Sequence, residues 1–326
     1  MNSITKSSPL DSPATNRPCR VLVLVGPTAS GKTTVSLLVA PRIDAEILSA
    51  DSRQVYRYMN IGTAKPTPEQ RKVAKHYFVD ELLPDRDFNA GEFGMAGRRI
   101  IEDIFRRRKV PFVVGGSGLY VRGLIDGFFD GPGADDAIRE NLDRRLRTEG
   151  AEKLLEELRE VDPDSAARML PGNKKRIVRA LEVYALTGNP LSELHRKKID
   201  ITFDPVLVGL RWERKQLYQR IDDRVDRMIA DGLVKEVEWL RDHGYTPKVN
   251  ALLTTGYVEV FRHFEREFSA RQMIDLIKRN TRRYAKRQLT WFRYDKRIRW
   301  FDLQSEDDFP AVATAIVDHF LHTGNA

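Results

Sequence analysis

The chain has few of the residues that would cross-link it covalently or anchor it in a membrane. Its 326 residues include one cysteine, Cys19, which excludes a disulfide framework and a cysteine-based zinc site. The first apolar run, Val21–Val25, is far shorter than the roughly 20 residues that a membrane span needs. Residues 1–18 lack the apolar centre of a secretory signal, and we expect them to be a disordered leader. These absences predict a cytoplasmic protein with no membrane partner.

Positive charge is in excess, but it is concentrated in one segment. The formal net charge is +8, and ten basic residues against one acidic residue, Asp295, lie between Lys278 and Arg299. A nearly neutral body with one basic stripe indicates a polyanionic partner on one face, although a solvated helix face would show the same pattern. Hydrophobic residues make up 41% of the chain, which is enough for the core of a soluble globular protein.

Short β-branched runs alternate with helical segments in the first part of the chain. The segments Val21–Val25, 45–50, 110–114 and 205–210 have the composition of buried strands, and Lys32–Ala40 that of a helix. This order predicts an α/β fold with a mostly parallel, doubly wound sheet. The loop sequence GPTASGKT after the first strand indicates the P-loop NTPase-like type. Ligands of such sheets bind beyond the carboxyl ends of the strands.

The stretch between the third and fourth predicted strands is different. It shows no strand pattern, and its leucines recur at helical spacing. We therefore expect residues 129–202 to form a helical insertion domain within a core made of residues 19–128 and 203–326. The chain after Trp212 is expected to be helical again, up to about Leu321.

A phosphate-binding loop follows the first strand. The octapeptide GPTASGKT matches the P-loop pattern, in which glycines let backbone N–H groups turn toward phosphate oxygens at the start of a helix. Lys32 adds a full positive charge, and the Thr33 hydroxyl can bind Mg²⁺. The expected phosphate-binding residues are Gly26, Pro27, Thr28, Ala29, Ser30, Gly31, Lys32 and Thr33.

The P-loop by itself leaves the reaction open. The strand at 110–114 ends in Gly-Gly-Ser and not in the Walker-B Asp of NTP-hydrolysing proteins, so Asp51 is the other acid at a strand end. Three interpretations of Asp51 remain at this point. It is an indirect ligand of Mg²⁺, a general base that faces the acceptor, or the N-cap of a helix.

Five segments together carry a resemblance to a known family. GPTASGKT (26–33), DSRQVYRYMNIGTAKP (51–66), GGSGLY (115–120), RALEVY (179–184) and AKRQLTW (285–291) occur in the order and at the spacing of the tRNA dimethylallyltransferases, bacterial type. The resemblance implies a P-loop α/β core with a helical insertion. It also implies transfer of a dimethylallyl group from dimethylallyl diphosphate to N6 of the adenosine 3′ to the tRNA anticodon. The P-loop ligand would then be a diphosphate leaving group and not ATP.

The resemblance implies a catalytic site made of Asp51, Lys32, Arg224 and Ser117. Asp51 would be the general base for the N6 amine, and Arg224 would bind the diphosphate together with the P-loop and with Mg²⁺ held through Thr33. The tRNA contacts that it implies are Asp51, Ser52, Arg53, Gln54, Ser117, Arg139, Lys175, Arg176, Arg179, Thr255, Gly256, Tyr257, Lys286, Arg287, Gln288 and Trp291.

Simpler interpretations stand beside several of these roles. Without the resemblance, Arg220 and Arg224 would be expected to pair with Asp223 and Asp226 on a helix surface. His76 has no derivable role and is expected to be structural. The aromatic residues that interleave with the basic stripe either stack on RNA bases or belong to the core; they are Tyr284, Trp291 and Phe292.

Other functions remain as alternatives. Prenyl transfer to a free adenine nucleotide uses the same chemistry but needs no basic stripe. A nucleotide kinase would use the P-loop for ATP, and a non-catalytic RNA-binding protein would use only the basic surfaces. The partners expected for the main hypothesis are the tRNA anticodon stem-loop and dimethylallyl diphosphate, with the protein acting as a monomer.

Overall fold

A six-stranded sheet forms the centre of the molecule. The structure, a computed structural model, describes residues 19–127, 133, 135–196 and 200–323. All neighbouring strands are parallel, which confirms the α/β class, and their order is β3-β2-β4-β1-β5-β6. The strands are β1 (Cys19–Val25), β2 (Ala45–Ser49), β3 (His76–Tyr77), β4 (Val110–Gly115), β5 (Phe203–Trp212) and β6 (Arg299–Leu303).

Helices connect the strands and cover both faces of the sheet. In the first part of the chain they are α1 (Lys32–Val39), α2 (Pro68–Val73), α3 (Ala90–Arg106) and α4 (Gly118–Ile125). Between β4 and β5 follow α5 (Asp136–Thr148), α6 (Ala151–Val161), α7 (Pro163–Ala166), α8 (Lys174–Thr187) and α9 (Leu191–Leu194). After β5 come α10 (Arg214–Ala230), α11 (Leu233–Asp242), α12 (Tyr257–Phe264), α13 (Ala270–Arg293) and α14 (Phe309–His322).

The side chains of β1 point alternately to the two faces of the sheet and contribute to the hydrophobic core on each. Val21, Val23 and Val25 pack with residues of α3, α4 and α11–α13, whereas Leu22 and Leu24 pack with residues of α1 and α14. Successive side chains of a strand point to opposite faces, so a strand covered on both sides is apolar throughout. This is why the run Val21–Val25 has no polar residue.

The chain after Trp212 is not helical throughout, so this expectation is wrong. Arg299–Leu303 forms β6, an edge strand that pairs with β5 through Val208 and Arg299. An edge strand is exposed on one side and carries charged residues, so its hydrophobic pattern is weak. Trp300 of β6 lies against Gly209, where an added Cβ would overlap the indole ring.

Helices α5–α9 form a core of their own, which includes Leu142, Leu154, Leu158, Ile177 and Leu181. The described part of this segment contains no strand. The expected leader, residues 1–18, lies outside the described residues. Within the described ranges no helix is long and apolar enough to cross a membrane.

Candidate functional site

The P-loop is shaped by contacts on its outer side. Ala29 and Gly31 adopt left-handed backbone conformations, with φ of +62° and +88°. The carbonyl of Ala29 accepts a hydrogen bond from Arg220 Nε at 2.9 Å, and the carbonyl of Ser30 accepts one from Trp212 Nε1 at 3.0 Å. With these carbonyls held outward, the free N–H groups at the start of α1 face the opposite side, as a phosphate cradle requires.

Lys32 is folded back into this cradle. Its Nζ donates to the carbonyls of Gly26 at 3.0 Å and Pro27 at 2.7 Å. The pKa of Lys32 is lowered to about 7, first by burial and then by the positive charge of Arg224, while Asp51 opposes the shift. Burial therefore disfavours the charged form of Lys32, and an anionic ligand in the cradle would favour it.

Arg224, on α10, is the second cation of the site. It makes no hydrogen bond or ion pair with the residues that the structure describes, and burial lowers its pKa to about 10. The surface pairs expected without the resemblance are wrong, because Asp226 binds Lys278 and Asp223 binds Gln219. Arg224 is thus available for a ligand beside the P-loop.

Arg220 lies one turn before Arg224 but has a structural role. Its Nη1 is 2.7 Å from a carboxylate oxygen of Glu306, and its guanidinium lies 4.2 Å from the ring centroid of Trp212. Together with the bond to the Ala29 carbonyl, these contacts use Arg220 to hold the P-loop in place.

Asp51 lies just beyond the end of β2, at the edge of the sheet that carries the P-loop. Its Oδ1 accepts a hydrogen bond from the Arg53 backbone N–H at 2.9 Å, and turns follow instead of a helix. The helix N-cap interpretation is therefore wrong. The carboxylate interacts electrostatically with both Lys32 and Arg224, so the acid and the two P-loop cations belong to one site.

Ser117 and Tyr284 complete the site next to Asp51 and the turn that follows it. Ser117 is at the N-cap position of α4 but makes no side-chain cap; its Oγ accepts from the Ser52 N–H at 3.1 Å. The pKa of Tyr284 is raised to about 12, by burial and then by Asp51, against the effects of Ser117 and Arg53. At neutral pH Tyr284 therefore keeps its O–H donor next to Asp51. Sequence reasoning left Tyr284 as either a stacking or a core residue and did not place it here.

Gln288 of α13 connects two loops of the site. Its Oε1 accepts from the Thr28 N–H at 2.8 Å, and its Nε2 donates to the Gly116 carbonyl at 2.9 Å. The side chain is 7% exposed. The tRNA contact that the resemblance implied for Gln288 is corrected accordingly: the amide is buried and bridges the P-loop to the β4–α4 loop.

The IGTAKP segment is held by an internal carboxylate. Glu236 of α11 accepts hydrogen bonds from the N–H groups of Asn60 and Ile61 at 2.8 Å each and from Gly62 at 3.1 Å, and from the hydroxyl of Tyr257 at 2.7 Å. These backbone N–H groups are therefore used within the protein and are not free to bind a substrate.

Two further residues expected to contact tRNA are directed inward. Tyr257 is 0% exposed and packs on Gly62, so a direct contact with tRNA is corrected to a structural role. Gln54 accepts from the Ser49 hydroxyl at 2.9 Å and donates to the carbonyls of Thr63 and Ala64 at 3.3 Å each. Gly256 is buried, and Ser52, Arg53 and Thr255 are half-buried.

His76 has the structural role expected for it. Its Nδ1 lies 2.8 Å from the Ala74 carbonyl, and burial lowers its pKa.

The basic stripe between residues 278 and 299 consists of two kinds of cation. Lys278, Arg282 and Arg297 are bound in ion pairs with Asp226, Asp222 and Asp126, respectively. Others are exposed and make no ion pair within the described part of the chain; they are Arg279, Arg283, Lys286, Arg287, Arg293 and Lys296. Fewer cations are therefore free for an anionic partner than the sequence indicates. Four of the six lie in the second half of α13.

The helical insertion offers cations with two different environments. Lys175 and Arg176 are exposed at the start of α8. Arg139 and Arg179 both bind the buried carboxylate of Glu182, at 3.1 and 2.8 Å, and are 43% and 36% exposed. Glu182 thus fixes two guanidinium groups of different helices at one edge of the insertion.

The described residues contain no group of three or more His, Cys, Asp or Glu side chains that could hold a metal ion. With the Thr33 hydroxyl as the expected protein ligand and Asp51 as the acid of the site, Mg²⁺ fits only if diphosphate oxygens and water supply most ligands, which is the usual arrangement for this ion.

Comparisons with known proteins agree on one family. The family model "IPP transferase" matches residues 54–295. A tRNA dimethylallyltransferase 2 of Geotalea uraniireducens is 43% identical over 92% of this chain and 97% of its own length. Among solved structures, the full-length tRNA isopentenylpyrophosphate transferase of Bacillus halodurans is 36% identical, with a TM-score of 0.69 over 94% of this chain and 98% of that one. A eukaryotic dimethylallyltransferase acting on tRNA is 28% identical, with a TM-score of 0.79 over 93% and 80%.

Proposed function

This chain belongs to the IPP transferase family, the tRNA dimethylallyltransferases, and we propose that it moves a dimethylallyl group from dimethylallyl diphosphate to N6 of the adenosine 3′ to the tRNA anticodon. The single observation that supports this most is the juxtaposition of Asp51 with Lys32 and Arg224. A carboxylate beside a diphosphate cradle suits a reaction in which a proton leaves the nucleophile while negative charge grows on the leaving group.

The chemistry divides the residues into two groups. The adenine N6 amine is a weak nucleophile, and Asp51 removes its proton as the new C–N bond forms. Lys32, Arg224 and the P-loop N–H groups stabilise the diphosphate as the allylic C–O bond breaks. Mg²⁺, bound through Thr33 and the diphosphate, would neutralise further charge on the leaving group.

A base that is stacked in a loop cannot reach this site, so the adenosine must be turned out of the RNA. Ser117 and Tyr284 lie near Asp51 and offer hydroxyl groups to the incoming base. We assign the binding of RNA phosphates to the exposed cations Lys286 and Arg287 of α13 and Lys175 and Arg176 of α8.

The alternative functions receive no support from the comparisons, which name tRNA-modifying enzymes. A monomer in the cytoplasm, with tRNA as its macromolecular substrate, remains our proposal for the working state.

The deciding experiment is mass spectrometry of tRNA incubated with protein, Mg²⁺ and dimethylallyl diphosphate. We expect a mass gain of one prenyl group on a single adenosine. Asp51→Asn should abolish the gain and leave tRNA affinity nearly unchanged, because the amide keeps the shape but accepts no proton. Efficient transfer or hydrolysis of the ATP γ-phosphate by the wild-type protein would contradict the proposal.

A further inference from the structure

A cavity of about 690 Å³ opens beside the candidate active site, between α4 and the end of α13. It begins at Gly118, the residue after Ser117, and its apolar lining includes Val25, Val121 and Leu207. Its volume is within the range of small-molecule sites, roughly 300–1,000 Å³. The P-loop cations Lys32 and Arg224 are not among its lining residues, so this space is separate from the diphosphate cradle.

Exposed aromatic rings form one wall of this cavity. Trp291 is 38% exposed and Tyr294 is 80% exposed. Trp291 packs against Gly118, where an added Cβ would overlap the indole, so one edge of the ring is fixed while the rest is open. Large, fixed and accessible aromatic rings are the surfaces on which proteins stack unpaired bases.

The rim of the cavity is cationic. Arg122, Lys286, Arg287 and Lys296 line it, are exposed, and make no ion pair among the described residues. Both carboxylates of the rim are paired with the same guanidinium, because Asp126 and Asp295 each bind Arg297 at 2.7 Å. These three groups together carry one negative charge, so the four unpaired cations keep the rim positive. The combination of an apolar interior, an aromatic wall and free cations matches a nucleotide, with its base inside and its phosphate at the rim.

We propose that this cavity holds a second unpaired nucleotide of the tRNA substrate, distinct from the adenosine that is modified. The base stacks on Trp291 above the apolar lining, and the adjoining phosphates contact Arg122, Lys286 and Lys296. This inference rests on the proposed function, because it takes the RNA substrate from there. A prenyl group would need only the apolar lining and would leave the four rim cations without a role.

The test uses the full-length protein and a set of anticodon stem-loop RNAs, each with an abasic site at one loop position. For the wild type we expect one position other than the modified adenosine to weaken binding about tenfold, the usual scale for one stacked base. In Trp291→Ala the same abasic RNA should bind no worse than the intact RNA, because the stack is already lost. The proposal is overturned if every abasic position has the same effect on both proteins.

The salt dependence of RNA binding tests the rim cations independently. Arg122→Ala and Lys296→Ala should each reduce the slope of log affinity against log salt by about 0.7, the value for one phosphate contact of a single strand. Arg271→Ala is the matched control and should not change the slope, because Arg271 is an exposed cation of α13 that lies 20 residues before Trp291, about 30 Å at the helical rise of 1.5 Å per residue. Equal slopes for all three variants and the wild type would overturn the proposal.

Two controls separate this inference from the proposed function. In Trp291→Phe the abasic RNA should still bind more weakly than the intact RNA. The melting temperature of this variant shows whether a loss of RNA affinity reflects misfolding. The affinity for dimethylallyl diphosphate should be the same in the wild type and in Trp291→Ala; an equal loss of both affinities would assign the cavity to the prenyl group and overturn the proposal. If the wild type fails to prenylate tRNA while the abasic coupling is observed, the proposed function fails and the nucleotide site stands.

Discussion

Binding of dimethylallyl diphosphate should be coupled to uptake of a proton by Lys32. In the ligand-free protein the pKa of Lys32 is lowered to about 7 by burial and by Arg224. A bound diphosphate replaces these unfavourable surroundings with several negative oxygens and restores the pKa toward its ordinary value near 10.4. The complex therefore holds more protons than the free protein at any pH between these two values.

The size of the effect follows from the two pKa values. At pH 8 about 0.9 of the Lys32 side chains are neutral in the free protein, so binding takes up about 0.9 proton, against about 0.1 at pH 6. Because the complex binds more protons, a rise in pH weakens binding, by about tenfold per pH unit between roughly pH 8 and pH 10. Above that window the ammonium of the complex also titrates, and the dependence disappears.

Isothermal titration calorimetry in buffers of different ionisation enthalpy measures this uptake directly. Dimethylallyl diphosphate is titrated at pH 8 without tRNA, so that no transfer occurs. Lys32→Arg is the matched control, since arginine keeps its charge and should show no uptake above pH 7. Absence of proton uptake by the wild type at pH 8 would refute the argument, because it would mean that Lys32 is already an ammonium in the empty cradle.

Three further predictions concern residues that sequence reasoning placed differently or not at all. Arg224→Met should weaken the affinity for dimethylallyl diphosphate at least tenfold, and it should raise the melting temperature by at most about 2 °C, because it removes a half-buried charge that makes no ion pair among the described residues. The same variant should lower the proton uptake at pH 8, because Arg224 contributes to the low pKa of Lys32, and an unchanged uptake would contradict this. Glu236→Ala should reduce the free energy of unfolding by about 3 kcal/mol in urea titrations, since several donors lose their acceptor; a loss below about 1 kcal/mol would show that water replaces the carboxylate. Gln288→Ala should lower kcat/KM for tRNA prenylation and raise the KM for dimethylallyl diphosphate, with tRNA affinity nearly unchanged; a selective loss of tRNA affinity would restore the original assignment of Gln288 to the RNA surface.

The parallel sheet and its active edge could be predicted from the sequence because buried parallel strands leave a simple signal. Val21–Val25 is a continuous apolar run that P-loop residues follow directly, and β2, β4 and β5 are mostly apolar, with Glu46 the one charged residue of β2. β6 could not be found in this way, because an edge strand with Arg299 and Asp302 in its five residues has no continuous apolar run.

The candidate residues that the motifs predict lie together in the structure, but the motifs did not separate ligand contacts from internal supports. Gln288 and Gln54 are polar residues in highly specific motifs, and from sequence alone either role is compatible with them. Only the structure shows that backbone groups of Thr28, Gly116 and Thr63 use their amides. Ion pairing raised the same difficulty for Arg220 and Arg224, since partners distant in sequence, such as Glu306, decide which cation is free.

The helix α13 is a single rod of 24 residues that carries both the exposed cations Lys286 and Arg287 and the buried amide of Gln288. RNA that binds these cations therefore acts on the helix one residue away from the hydrogen bond between Gln288 Oε1 and the Thr28 N–H. If RNA shifts the helix, that N–H is released into the cradle as an additional donor, and the affinity for diphosphate rises. Thermodynamic reciprocity then requires that diphosphate raise the affinity for RNA by the same factor, so this helix couples the two substrates in addition to the contact between their reacting atoms.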